Sequence, residues 1–269
     1  MIPHRTGPAR ILPGRHISAL VLWVFLLAAS GCAPVRVKPQ APPFSRAQVT
    51  RIVSAIVEQD RRVRSFFCSG TLTITRGDTE RDVHVLIIGD RSPYRLKIEM
   101  RHAWGRPLAH ILIRETGISI LSFTEKRFYT GDLGAPGVSK FIPAGLDRDQ
   151  IWGISRGFPL LGDHHGIVSP EGGRITLLDR RKIPVRILDL YPDRMFPRRL
   201  FFPESGITIS FSEPEADGGL RWAKDIRVTV PGADTRLDLR IRRMVFNRPL
   251  PAAVFQMAVP PGFKRCPLD

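Results

Sequence analysis

Few stretches of this 269-residue chain hold residue types that could do chemistry. Gly153-Ile154-Ser155-Arg156-Gly157 has the spacing of a nucleophile elbow, in which a serine is exposed on a tight turn between strand and helix. With Asp163, His164 and His165 close behind, it raises the question of a serine esterase. That chemistry needs a parallel sheet and three side chains converging from separate elements. Asp163-His164 follows too closely, and the surrounding pattern is one of hairpins. Two adjacent histidines are also poor metal ligands, because neighbouring side chains rarely converge on one ion and no distant His/Cys pair completes a site. Asp147 and Asp149 read as first-turn acids of a short helix rather than as a catalytic pair. No catalytic residue, metal or cofactor is therefore expected. Cys68 and Cys266 are candidates for a disulfide that would tie the C-terminal tail to the first strand, and Cys68 also reads as a small buried apolar residue.

The remaining cysteine is the most informative. An apolar run from Ala19 to Ala29 follows Arg5, Arg10 and Arg15 with no acid between them, and Ser30-Gly31-Cys32 closes it. A basic head, a short apolar core and small residues make a secretory signal peptide over 1–31. Such a run is too short to span a bilayer permanently. Leu26-Leu27-Ala28-Ala29-Ser30-Gly31-Cys32 resembles a bacterial lipobox, with Ala29 where leucine is usual. The resemblance implies lipidation of Cys32, and each methylene then buried in a membrane contributes about 0.8 kcal/mol to anchoring. The family's inner-membrane retention signal is an acid directly after the cysteine. Ala33 stands there, which implies the outer membrane, with the protein facing the periplasm.

The chain carries 41 Lys and Arg against 25 Asp and Glu, a formal charge of +16. Removing 1–31 takes away three arginines and no acid, which leaves 38 against 25, or +13. An exported basic protein is not expected to meet nucleic acid, so the anionic partners are lipid headgroups or an acidic protein face.

The elements follow in order. Residues 32–44 hold Pro34, Pro39, Pro42 and Pro43 and read as a semi-extended tether. Ser45 and Gln48 form a capping box, and Val49, Ile52, Val53, Ile56 and Val57 then recur at helical spacing. From Phe67 the period becomes two. Leu72 and Ile74, then Val83, Val85 and Ile87, then Leu96, Ile98 and Met100 each alternate with polar residues. Further strands are expected at Leu108–Ile113, Ile118–Phe123, Arg127–Thr130, Arg174–Leu178, Val185–Leu190, Arg198–Phe202, Ile207–Ser212, Leu220–Val230 and Thr235–Phe246. In the last, Leu237, Leu239 and Ile241 share a face. Between Gly131 and Gly173 the alternation stops. Apolar residues including Ile142, Leu146, Ile151, Trp152 and Ile154 must be buried on something, and the open mouth of a sheet is the natural place. The reading is mainly β with α: one domain, 45–269, with about eleven antiparallel strands in a strongly curved, unclosed barrel capped by helices.

This order of lipobox, proline-rich tether, amphipathic helix, strands, helical insert and strands resembles the carrier and receptor of the lipoprotein-localisation (LolA/LolB-like) superfamily. Arg101-His102-Ala103-Trp104-Gly105-Arg106-Pro107-Leu108 resembles the receptor's protruding loop, with Ala103-Trp104 where Pro-Leu is usual. Phe246-Asn247-Arg248-Pro249-Leu250, Phe255 and Pro260-Pro261-Gly262-Phe263 resemble the superfamily's ending. The resemblance implies an apolar cavity for acyl chains, and the inward parity points to Leu96, Ile98, Met100, Leu237, Leu239 and Ile241, with Trp152 from the insert. It implies a monomer that receives lipoprotein acyl chains or lipids from a periplasmic carrier and assists their insertion into the outer membrane. Trp104, flanked by Arg101 and Arg106, is the candidate for membrane insertion. The rival reading is an assembly lipoprotein that binds a protein partner and carries no lipid.

Overall fold

The computed structural model describes residues 42–192, 195–232 and 234–269, which belong to one compact unit beginning at Gln40. The signal peptide, Cys32 and most of the tether lie outside the described residues. Helix α1 (Arg46–Arg62) starts where the capping box places it. Ser45 Oγ accepts from the Gln48 N–H at 3.3 Å, and Gln48 Oε1 accepts from the Ser45 N–H at 2.8 Å. Its apolar stripe buries Val49, Ile52, Val53 and Ile56 against the sheet, while Arg61 and Arg62 favour the carbonyl end of the helix.

A first meander follows: β1 (Ser65–Arg76), β2 (Thr79–Arg91), β3 (Tyr94–Arg101), β4 (Pro107–Arg114), β5 (Gly117–Ser122) and β6 (Arg127–Gly131). The insert contributes a 3₁₀ turn at Pro136–Lys140 and helix α2 (Arg148–Ser155). The second meander is β7 (Gly166–Val168), β8 (Arg174–Leu178), β9 (Pro184–Leu190), β10 (Pro197–Phe201), β11 (Thr208–Phe211), β14 (Asp225–Val230) and β15 (Thr235–Phe246), with a small separate hairpin of β12 (Pro214–Asp217) and β13 (Leu220–Ala223). The two meanders join where β15 pairs with β1, and β16 (Lys264–Pro267) adds in parallel to β6. Among the described residues fourteen strands form one sheet with free edges at β16 and β7. The barrel is thus unclosed, and the insert has to run from one side of the gap to the other.

Two glycines allow the curvature. At Gly70 the β1–β15 register shifts by a bulge, and a Cβ there would sit 2.2 Å from the Arg240 carbonyl oxygen. At Gly89 a Cβ would meet the Phe66 and Trp152 rings at 2.3 and 2.8 Å, so only glycine lets those rings lie on the sheet floor. On the outer face a second cluster, Ile88, Leu112 and Phe255, is covered by the C-terminal segment through Leu250, Val254 and Met257. The Arg95 guanidinium stacks 4.4 Å from the Phe255 ring centroid. This strap explains the apolar residues of the C-terminal segment: they cover the sheet's back.

Cys68 is fully buried on β1, as its parity requires, and burial pushes its thiol up to about 12. The disulfide expectation is corrected: both cysteines are free. Cys266 lies on β16, six strand positions from β1 along the sheet, so the tail is fixed by β6 pairing and the buried Leu268 instead.

Candidate functional site

The concave face and the insert enclose an apolar cavity of about 90 Å³. From the sheet it is lined by Leu72, Val85, Ile87, Ile98, Met100, Ile111, Ile226, Val228, Leu237 and Leu239, and from the insert by Phe141, Ile142, Pro143, Leu146, Ile151 and Ile154. Strand register explains the first group. Leu72 pairs with Leu239, Ile74 with Leu237, and Ile87 with Ile98, so their side chains share one face. Chain connectivity explains the second: the insert joins β6 to β7 across the gap and lays these residues on the barrel interior.

Four of the sequence-predicted residues, Ile98, Met100, Leu237 and Leu239, stand on this wall. Leu96, Ile241 and Trp152 do not, and this corrects their assignment: they are 0%, 0% and 1% exposed and form the closed floor. Leu96 pairs with Gly89, and Ile241 sits opposite Gly70 at the bulge. The Trp152 ring meets Phe66 edge-on at 4.9 Å and Tyr94 at 5.5 Å. A cavity of 90 Å³ is smaller than the roughly 150 Å³ void that accepts one benzene. A long acyl chain therefore fits only where the insert side chains now lie.

The β3–β4 loop, residues 102–106, begins two residues beyond Met100, which lines the cavity. The Gly105 N–H donates to the His102 carbonyl at 2.8 Å, and the His102 N–H to that of Arg106 at 2.9 Å. Gly105 has φ +88°, which places Trp104 at the turn. The indole is 75% exposed and stacks on the His102 ring at 4.4 Å with a 6° tilt. It does not fold back onto the barrel. The opposite rim holds Ser65, Asp90, Tyr94 and Asn247, one β3 length away, about 25 Å for its eight residues.

Sequence reasoning missed the polar strut behind the floor. Arg156 is 1% exposed, with its guanidinium 2.6 Å from Asp60 of α1, and Asp60 also binds Arg91 at 2.8 Å. Burial pulls Arg156 down to about 10, with Asp60 opposing. Nothing in the local pattern signals this pairing across 96 residues. Arg156 is also the neighbour of Ser155 in the G-x-S-x-G stretch. Ser155 ends helix α2 and faces the apolar cavity, so the strand-turn-helix of an elbow is not formed there. His164 Nδ1 lies 3.0 Å from the Gly162 carbonyl, and His165 Nε2 faces Arg180. Among the described residues no cluster of three His, Cys, Asp or Glu could hold a metal ion, and no helix is long and apolar enough to cross a membrane.

The fold and cavity define an open-barrel protein with an apolar interior. No family model matches the sequence, and no curated protein does. Among solved structures, a DUF1329 family protein from Desulfovibrio piger shares the fold with a TM-score of 0.53, at 12% identity over 77% of this chain and 97% of that one. A putative outer-membrane lipoprotein-sorting protein domain from Vibrio parahaemolyticus aligns with a TM-score of 0.49, at 10% identity over 77% and 97%. A LolA superfamily protein from Nitrosomonas europaea aligns at 0.48, with 14% identity over 76% and 97%.

Proposed function

We propose that this chain is an envelope lipoprotein, anchored to the outer membrane through Cys32, that binds acyl chains of lipoproteins or lipids and assists their insertion. The observation that carries the reading is the apolar cavity lying beside an exposed tryptophan at one rim. On this reading the insert occupies the chain's place until cargo arrives. Phe141, Leu146 and Ile154 then yield their contacts to methylenes, so the exchange is of one apolar surface for another. A 16-carbon chain gains on the order of 10 kcal/mol on leaving water for either cavity or bilayer, and near-equality of the two permits release. Trp104 seats at headgroup level, where ring and N–H are both satisfied, and Arg101 and Arg106 meet anionic lipid.

The test is titration of residues 40–269 with an environment-sensitive fatty-acid probe. Binding near −8 kcal/mol, a micromolar Kd, is expected. Ile98→Glu should weaken it without loss of fold, since Ile98 is only partly buried on the wall. Unfolding by that substitution would mean the site is packed core, and no probe binding in a folded wild type would end the proposal.

A further inference from the structure

At the rim opposite Trp104, α1 ends, β1 begins and β15 leaves the sheet. There Glu58, Arg61, Arg62, Arg64, Ser65, Asn247, Arg248 and Pro249 surround a wide, open cup of about 680 Å³. Asn247 builds its floor from a left-handed backbone position, φ +55°. Its Oδ1 accepts from the Arg64 N–H at 2.8 Å and the Ser65 N–H at 3.4 Å, and its Nδ2 donates to the Arg62 carbonyl at 2.8 Å. Ser65 Oγ donates to the Arg248 carbonyl at 3.0 Å. The backbone segments carrying all four arginines are thereby tied together. Arg62 also donates to the carbonyls of Gly218 and Gly219.

Several arginines of the sheet are matched by carboxylates: Arg227 and Arg236 with Asp238, Arg240 with Asp225, Arg174 and Arg199 with Asp189. Among the described residues no carboxylate is ion-paired with Arg61, Arg64 or Arg248. We infer that this cup is a docking site for an acidic segment of a soluble protein partner. Arginine forks fit carboxylates in a bidentate way. Their spread around the cup suits several carboxylates on one chain better than a single phosphate. A concave cup receives a protruding chain, whereas a bilayer presents a plane. The site lies on the rim away from the acyl cavity, and it stands whether or not that cavity carries lipid.

The experiment uses the full chain in neutral maltoside micelles. Fluorescence anisotropy follows a labelled Glu/Asp-rich peptide and its Gln/Asn counterpart. Wild type should bind the acidic peptide and not the amide one. Arg61→Gln/Arg64→Gln/Arg248→Gln should weaken binding by about tenfold or more. Arg81→Gln/Arg181→Gln/Arg198→Gln removes equal charge elsewhere and should change it by less than about twofold. These side chains are exposed, and circular dichroism verifies that both variants keep the fold. Equal weakening by the two triples would reduce the effect to net charge and overturn the site. So would binding of phosphatidylglycerol vesicles, and not the peptide, through the three cup arginines.

Discussion

At the scale of single residues, environment sets reactivity. Cys68 has no exposure, and burial holds its thiol up at about 12, so at neutral pH almost none is thiolate. Native protein should leave Cys68 unlabelled by iodoacetamide, while denaturation without reductant should expose it to full labelling, together with Cys266. A mass lower by two protons in the unreduced chain would restore the disulfide. A second prediction concerns Glu99 on the outer face. Burial works to raise this carboxyl, but hydrogen bonds from Arg101 and Lys97, with His110 nearby, outweigh it and hold it low. Burial also pushes His110 below its usual 6.5. Both shifts have the same sign for stability. Each group's contribution is complete above its unfolded pKa, 6.5 for the histidine and 4.5 for the carboxyl, and is lost as pH falls through the folded value. The urea midpoint should fall on acidification below about 6.5, and His110→Gln should flatten only the upper part of that decline. A profile unchanged by that substitution would place the acid sensitivity elsewhere.

At the scale of elements, the insert is the part whose position decides the site. Phe141 is partly buried over the cavity and tilts against Tyr129 at 5.4 Å. Phe141→Ala removes one side of the plug. It should cost about 2 kcal/mol of stability, less than a fully buried phenylalanine, and should tighten acyl-probe binding several-fold. Weaker binding by the variant would make Phe141 a contact of the ligand rather than its stand-in. Most elements were legible because parity is a local property: Leu237, Leu239 and Ile241 alternate with charges, and the capping box at Ser45 fixes where α1 starts. What parity cannot tell is depth. Leu96 and Ile98 share a face, yet one lies on the floor opposite Gly89 and the other on the cavity wall. Long-range pairing was equally illegible. The expected single strand at Leu220–Val230 is two, β13 and β14, parted at Lys224. There β13 leaves the main sheet so that the Arg221 backbone can bind Gln59 of α1. The short β16 was missed because its parallel pairing to β6 leaves no period in four residues.

At the scale of the whole described unit, the strands separate two unlike rims. One carries the Trp104 loop and the partly exposed cavity residues Met100 and Leu237; the other carries the arginine cup. They are about 25 Å apart along β3, more than the roughly 8 Å over which charge is felt in physiological salt. A bilayer that attracts one rim therefore exerts little pull on the other, and the molecule should stand on its tryptophan end. Spin labels test this orientation. Cysteine substitutions at Arg106 and at Arg61 each place one label on an exposed site, and replacing Cys266 with serine leaves Cys68 buried and silent. On phosphatidylglycerol vesicles the label at 106 should lose accessibility to a water-soluble nickel relaxant and gain it to oxygen, while the label at 61 should stay open to nickel. Trp104→Glu should abolish the contrast, because a carboxylate repels the anionic surface and has no apolar ring to bury. Raising the salt should weaken the contrast less than that substitution does, since the indole's part of the contact is not screened. Equal accessibility at both rims would show a protein lying on its side, and the cup, not the tryptophan loop, would then face lipid.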